Sequence, residues 1–330
     1  MRARVAAVSV DLDEVTEYTR IHGLPELGDD AVGRHAVYDR AVGRIEGWAR
    51  ALAIPITFFA VGRDLSRAAN AGEMRRMVEL GHAVESHSLS HRYDLSRLRG
   101  EALSREVNEG LAAVERATGV RPSGFRAPGY TVSDPLFDAL EEAGVRFDSS
   151  VFPSPFYYGA KAAVLGWMRL RGRASASILD TPAVLAAPRV PYRPGERWYR
   201  DSVPQRMPQR RDSVPRRRPR ARSFLELPIQ VTPLFGFPVI GTSVGRSGAW
   251  LSKGLALACA GEPMVNLELH GMDFLEAEDL GAHPLTRLQP ELLAPLPRRM
   301  ERLTIFVETL RSKGFAFVTL AEASESVLLT

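Results

Sequence analysis

Short apolar segments rich in β-branched and aromatic residues alternate with segments of helical periodicity along this chain of 330 residues. The alternation predicts parallel strands covered by helices, because each parallel pair needs a crossover connection. Seven or eight such units favour a barrel over an open sheet. Strands are predicted at residues 5–10, 55–62, 82–86, 122–127, 224–231, 264–270 and 315–320. Helices are predicted at residues 36–54, 71–81, 99–118, 133–144 and 294–312.

The composition is that of an ordinary globular protein, with 45% hydrophobic and 25% charged residues. An α/β barrel reaches this length as one domain, so we expect residues 1–330 to form a single catalytic domain. The one cysteine, Cys259, excludes an internal disulfide framework. The N-terminus has no signal-peptide pattern and no apolar run is long enough to span a membrane, so a cytoplasmic location is expected.

One segment carries most of the positive charge. Residues 189–222 contain 12 Arg against one Glu and two Asp, whereas the net charge of the whole chain is only +4. The prolines and like charges of residues 195–222 cannot build a core, so we expect a disordered Arg/Pro-rich insertion there. It is either a tolerated loop expansion or a contact for anionic lipid or another polyanion. No specific nucleic acid is expected as a partner, because the charge is local to this segment.

Polar residues follow the predicted strands directly, at their carboxyl ends. The first strand leads into Asp11 and Asp13, the third into His87 and His91, the fourth into Arg126 and the sixth into His270. In barrels of this type the chemistry lies at this end of the strands. Taken singly, each residue also has a structural interpretation, as a cap, a surface or core histidine, or an ion pair. Together they indicate one site.

This set of side chains is suited to metal-assisted hydrolysis. One carboxylate and two neutral imidazoles form a ligand set that suits Zn²⁺ or a similar divalent ion and leaves positions open for water. The second aspartate could take a proton from that water, held in its ionised form by the arginine. A histidine across the site could protonate the departing amine or alkoxide.

The same residues lie in segments that resemble the polysaccharide deacetylase family of carbohydrate esterases. "SVDLDE" resembles the family's first motif, "GHAVESHSLSH" its metal-binding motif, "FRAPGY" its third motif and "LELHGMDF" its final motif. "ITFFAVG" and "DALEEAGVRFDSSVFP" are similar to the family's second strand and to the segment after the third motif. The matches occur in the family's order along most of the chain. The resemblance implies a distorted (β/α) barrel of about seven parallel strands.

The resemblance also assigns roles to individual residues. It implies that Asp11 is the general base, oriented by Arg126, and that His270 is the general acid. The backbone N–H of Gly129 or Tyr130 would stabilise the oxyanion, and Leu267 or Leu269 would line the acyl pocket. The implied metal ligands are Asp13, His87 and His91, with zinc the expected ion.

Two features depart from the family pattern. The acid that tunes the catalytic histidine has no clear equivalent, with Asp180 and Glu226 as the candidates. The aspartates of "DLD" are separated by one residue, whereas many members have them adjacent; this spacing resembles a branch with amidase-like and lipid-linked-sugar enzymes. Residues 17–35 directly follow Asp13 and form either a lid over the pocket or a solvated loop.

The sequence therefore predicts a metal-dependent hydrolase that removes an N-acetyl or other acyl group from an amino sugar or a sugar-containing intermediate. One alternative is a related amidase or deformylase that acts on a non-acetyl C–N bond. The other is a catalytically idle scaffold that binds partners through the basic insertion.

Overall fold

A computed structural model of the protein describes residues 4–28, 31–202 and 221–328. In these residues the chain forms eight β-strands, and every strand pair is parallel. The strands are β1 (Arg4–Asp11), β2 (Ile56–Ala60), β3 (Ala83–Ser86), β4 (Gly124–Phe125), β5 (Phe147–Asp148), β6 (Leu225–Glu226), β7 (Met264–His270) and β8 (Phe315–Phe317).

Seven strands follow one another around the sheet in the order β6-β5-β4-β3-β2-β1-β7, and β8 pairs with the start of β1. The edge strands β6 and β7 are joined by irregular segments rather than by a regular ladder. The N–H of Gln230 donates to the carbonyl of Asn266, and Ile240 forms an isolated parallel bridge with Glu268. The result is a distorted barrel of parallel strands, which confirms the predicted fold class.

Helices cover the outside of the sheet, as the alternating pattern predicts. They are α1 (Val15–Ile21), α2 (Val42–Leu52), α3 (Ala68–Glu79), α4 (Gly100–Thr118), α5 (Asp134–Glu142), α6 (Pro155–Leu170), α7 (Gly241–Arg246), α8 (Ala249–Cys259), α9 (Leu285–Leu288), α10 (Leu296–Ser312) and α11 (Leu320–Leu328). Among the described residues, none of these helices has the length and apolar content needed to cross a membrane.

The period of two along β1 separates the core from the site. Val8 and Val10 pack into the large core between the sheet and its helices, whereas Ala7 faces the smaller core inside the barrel. Ser9 and Asp11 share the inward face with Ala7, because alternate residues of a strand point to the same side. The barrel interior is therefore apolar at the start of β1 and polar at its end.

The predicted disordered insertion, residues 195–222, has packed ends. Trp198 is buried, with its ring 6.2 Å from the ring of Phe137, and Arg222 is buried with a 2.5 Å bond to Asp138. The prediction of disorder is wrong for these ends, because an aromatic ring and a paired guanidinium tie them to α5. Residues 203–220 lie outside the described part of the chain, and their contact with a polyanion stays a prediction.

Candidate active site

Asp11 and Asp13 lie at the carboxyl end of β1, and both side chains turn inward. Asp11 is the last residue of β1 and is in register with His270, the last residue of the neighbouring strand β7. Both aspartates are almost completely buried. Two buried carboxylates so close together need cationic partners to offset their repulsion and their loss of hydration.

The stretch after β3 supplies these partners through an unusual backbone. Ser88 and His91 have φ values of 63° and 54°, in the left-handed region that non-glycine residues rarely adopt. The N–H of His91 donates to the Ser88 hydroxyl at 3.1 Å, which holds the turn. Backbone strain of this kind is often kept where a side chain must point in one direction. Here it brings His91 to the same carboxylate as His87.

Asp13, His87 and His91 form a compact group of ligand atoms. The Nε2 atoms of His87 and His91 lie 3.2 and 3.1 Å from Oδ1 of Asp13. Two donor atoms that are each about 2.0–2.2 Å from one metal ion lie roughly 3.0–3.5 Å apart, so the spacing suits a shared ion. Oδ1 of Asp13 and Nε2 of His91 are buried without a hydrogen-bond partner. The three residues therefore fit a divalent metal.

Both imidazoles are held through their other ring nitrogen. Nδ1 of His87 lies 2.8 Å from the carbonyl oxygen of Arg126, and Nδ1 of His91 lies 3.2 Å from a carboxylate oxygen of Glu17. A proton on each Nδ1 leaves the Nε2 lone pair free for a metal, which is the common arrangement of metal-binding histidines. Burial disfavours the charge on Asp13, but His91 and His87 outweigh it and hold the pKa of Asp13 well below its usual range.

Arg126 anchors Asp11 from inside the barrel. Its NH1 donates to Oδ1 of Asp11 at 2.6 Å, and its other nitrogens donate to Ser9 and Ser149. The guanidinium also lies over the ring of Phe59 at 4.1 Å. Burial raises the pKa of Asp11 against the opposing effect of Arg126. A carboxylate with a raised pKa is a stronger base, which suits the role predicted for Asp11.

His270 faces the metal-ligand group from the other side of Asp11. Its Nε2 lies 3.8 Å from Oδ2 of Asp13, and its Nδ1 lies 2.9 Å from Oε1 of Glu268. Burial opposes protonation, but Glu268 outweighs it and raises the pKa of His270 well above its usual value. The buried Glu268 is thus the acid beside the histidine for which the sequence motifs showed no equivalent.

The two acids considered for this position lie in other contacts. Oδ2 of Asp180 accepts a bond from the backbone N–H of Val132 at 2.7 Å. Glu226 accepts from the N–H of Val151 and interacts with Asp148. Neither prediction holds, because the strand that ends in His270 supplies its own acid two residues earlier, on the same face.

The turn Pro128–Tyr130 forms another wall of the site. Gly129 has φ 61°, and a side chain there would clash with Tyr93, so glycine suits this position. The N–H of Tyr130 donates to the Ala127 carbonyl within the turn. Of the two predicted oxyanion donors, Gly129 is therefore the one whose N–H this turn does not use. Tyr130 instead enters the site through its hydroxyl, 3.4 Å from Nε2 of His270.

These residues surround a cavity of about 130 Å³. Its apolar and aromatic lining comes mainly from Tyr18, Tyr130, Tyr157 and Ile240. The prediction that Leu267 or Leu269 lines the acyl pocket is wrong. Both leucines are buried in the core between the sheet and the helices, on the face of β7 opposite to Glu268 and His270.

Of residues 17–35, as far as the structure describes them, only the first part lies beside the cavity, and their role as a lid stays a prediction. These residues begin within α1, where Tyr18 and Ile21 line the cavity. Glu17 lies beneath them, fully buried, and its carboxylate also receives a 2.5 Å bond from Arg63. Residues 29 and 30 lie outside the described part of the chain.

Comparison with known proteins identifies the family that this site resembles. Residues 43–147 match the sequence model of the family described as polysaccharide deacetylase. The predicted resemblance to the polysaccharide deacetylases is confirmed. The matched range contains His87, His91 and Arg126; the aspartates and His270 of this deacetylase-like site lie outside it.

A curated relative, the peptidoglycan deacetylase of Helicobacter pylori, is 22% identical over 156 residues. The match covers 47% of this chain and 52% of the relative, so it spans about half of each protein. Two solved structures share the fold with a TM-score of 0.57. One, described provisionally as a polysaccharide deacetylase from Mycobacterium smegmatis, is 16% identical over 99% of this chain and 91% of its own. The other, Puue allantoinase, is 18% identical with the same coverage.

Among the polar residues of the deacetylase-like site that were not predicted from the sequence are three that contact predicted site residues. They are Glu17 beside His91, Glu268 beside His270, and Lys161, whose ammonium group lies 3.4 Å from the Gly129 carbonyl. Burial lowers the pKa of Lys161 to about 8. Only Glu268 had a clear signal: it lies two residues before His270 in a strand, and therefore on the same face.

Proposed function

We propose that the protein is a metal-dependent hydrolase that removes a small N-acyl group, in the first instance acetyl, from an amino sugar. The observation that carries the proposal is the placement of Asp11 and His270 on adjacent strands beside one buried His₂Asp group. The resemblance to the polysaccharide deacetylases supports the sugar, and the small cavity supports a short acyl group.

Asp13, His87 and His91 would hold the ion, and two imidazoles with one carboxylate favour zinc among the common divalent metals. When bound, such an ion polarises an acyl carbonyl and lowers the pKa of a bound water. Asp11, Glu268 and His270 form a second group of possible ligands, whose ligand atoms also lie within 4.8 Å of one another. We assign this group to proton transfer, because Arg126 already pairs with Asp11, and His270 with Glu268.

Two residues of the chain, Asp11 and His270, carry out the two proton transfers. Asp11 takes a proton from the attacking water as the water oxygen bonds to the acyl carbon. The Gly129 N–H donates to the oxygen on which negative charge develops. His270 gives the proton on Nε2 to the sugar nitrogen as the C–N bond breaks, so the products are a carboxylic acid and an amine. Glu268 keeps His270 protonated and oriented until that step.

The test is hydrolysis of N-acyl sugars by the purified protein loaded with Zn²⁺, Co²⁺ or Ni²⁺. Release of acetate and free amine from N-acetylglucosamine oligomers is expected, and an Asp11→Asn variant should release neither above background. The panel includes an N-formyl sugar, and also allantoin, because one protein that shares this fold is an allantoinase. Turnover of the N-formyl sugar alone would replace acetyl by formyl as the group removed, and turnover of allantoin alone would replace the acyl-sugar assignment. No difference between wild type and Asp11→Asn on any substrate would overturn it.

A further inference from the structure

Helix α6 exposes an apolar surface where a surface helix normally carries charge. Of its 16 residues only Met168 is buried, and Phe156, Val164, Trp167 and Leu170 are exposed, Leu170 by 88%. Lys161 and Arg169 are its only charged residues. A helix that is apolar on nearly all sides is normally covered by something.

A second apolar surface is a rigid turn next to the start of this helix. Leu234 and Phe235 form its tip and are 84% and 72% exposed. The turn is closed by the N–H of Thr232, which donates to the Phe237 carbonyl, and by Ser154, whose hydroxyl donates to the Gly236 carbonyl. The exposed side chains are therefore held outward by a bonded turn.

The turn, α6 and α8 form one continuous surface, which we call the apolar face. The rings of Phe156 and Phe237 are 5.7 Å apart, and both line a shallow apolar groove of about 620 Å³ together with Leu251 of α8. An exposed apolar surface of this extent indicates an interaction site.

Basic residues outnumber acidic ones around the apolar face. Residues 149–180 contain four basic residues and one acid, Asp180, which interacts with Lys161 of α6, and residues 227–261 contain two basic residues and no acid. Arg171 lies over the ring of Trp167 at 4.6 Å, and Arg189 donates to the Pro233 carbonyl at 2.7 Å. A second copy of the chain would bring these cations together, whereas anionic headgroups would complement them.

We propose that the apolar face docks on the surface of an anionic lipid bilayer, with Leu234 and Phe235 inserted below the headgroups. A protruding apolar tip, an exposed tryptophan and a mainly cationic margin are the features of proteins that lie on a membrane interface. The same elements also line the catalytic cavity, through Tyr157 and Lys161 of α6 and Ile240 after the turn. Docking would therefore place the cavity opening beside the lipid surface. The proposal stands independently of the proposed reaction.

The test is cosedimentation of the full chain with vesicles, either of phosphatidylcholine alone or of phosphatidylcholine with about a third phosphatidylglycerol. We expect binding to the anionic vesicles that weakens as salt is raised. The double variant Leu234→Ser/Phe235→Ser should bind at least roughly tenfold more weakly, because two inserted apolar side chains are lost. Val120→Ser, at an exposed apolar position after α4, is the matched control and should bind like wild type.

Two results would overturn the proposal. One is equal binding of wild type and the double variant, which would place any lipid contact elsewhere on the chain. The other is a wild-type dimer in light scattering that the double variant converts to monomer, with no vesicle binding by either form. That result would assign the apolar face to a second copy of the protein. Circular dichroism of each variant shows whether a loss of binding reflects unfolding.

Discussion

Oε1 of Glu268 lies 2.9 Å from Nδ1 of His270, and both residues project from the inward face of β7. The negative charge of the carboxylate stabilises the imidazolium, so that Nε2 can present a proton to the cavity. Burial alone would have lowered the pKa of the histidine; the carboxylate raises it instead.

Replacing Glu268 with Gln should lower kcat by roughly 10²–10⁴-fold, because the general acid loses the charge that keeps it protonated. The pKa of His270 falls in the variant, so the alkaline limb of the kcat/KM profile should shift to lower pH. Metal content, measured by atomic absorption, should stay at the wild-type level. Glu85→Gln, at another buried carboxylate, is the control and should keep the wild-type profile. An unshifted alkaline limb in Glu268→Gln would contradict the assigned role.

Asp11→Asn and Asp13→Asn separate proton transfer from metal binding, since the two aspartates share one short segment. Asp13→Asn should lose most of the bound metal, because one of only three protein ligands is weakened. Asp11→Asn should keep the metal and lose turnover, because the amide cannot accept the proton. Metal titration by calorimetry and kcat at saturating metal distinguish the two. Equal metal loss in both variants would show that Asp11 is itself a ligand.

The catalytic and metal-binding residues predicted from the sequence share one property: each lies at, or shortly after, the carboxyl end of an apolar strand. That position made Asp11, His87, Arg126 and His270 visible without a structure. Glu268 was missed because it lies inside a mostly apolar strand. Only the alternation of side chains along that strand shows that Glu268 points to the same side as His270. The same alternation, applied to β7, would have excluded Leu267 as a pocket residue.

Some helices, including α6, were not predicted from the sequence, and the reason differs from that for Glu268. Sequence prediction of a helix relies on an apolar stripe that alternates with polar positions. Helix α6 has no such contrast, because its exposed side is also apolar. Glu17 and His91 are 74 positions apart in the sequence, so no local sequence pattern indicates that they are in contact.

Glu17→Gln should weaken metal binding by about 10–100-fold without unfolding the protein, because Glu17 orients His91 through Nδ1. Glu26→Gln is the matched control: Glu26 also pairs with Arg20, but it is exposed. The readout is the metal dissociation constant from competition with a chelating dye. If Glu17→Gln and Glu26→Gln bound metal equally well, Glu17 would have only a structural role.

Leu267→Ala tests the corrected position of this side chain. It should lower the free energy of unfolding by about 2–5 kcal/mol, because a large side chain is removed from a packed core. Its kcat/KM per folded molecule should stay near wild type. Ile240→Ala, which enlarges the cavity instead, should raise KM. If the Leu267→Ala variant were fully folded under the assay conditions and its KM still changed, Leu267 would line the pocket after all.

The stability of the fold should depend on pH through Glu85, a buried residue of β3. Burial raises its pKa from 4.5 to about 7, although the N–H groups of Ser123 and Gly124 donate to it. The folded protein therefore binds this proton more tightly than the unfolded chain does. The stabilisation is complete below pH 4.5 and is lost as the pH rises through about 7.

Glu85→Gln removes this titration, and the glutamine can still accept from the backbone and donate to the Ser123 hydroxyl. Between pH 4.5 and 7, the free energy of unfolding of the wild type should fall by about 3 kcal/mol relative to the variant. Urea unfolding of both proteins across this range measures the difference, in which the titrations that they share cancel. Parallel curves for the two proteins would mean that Glu85 is ionised in the folded state throughout, and that its backbone donors outweigh its burial.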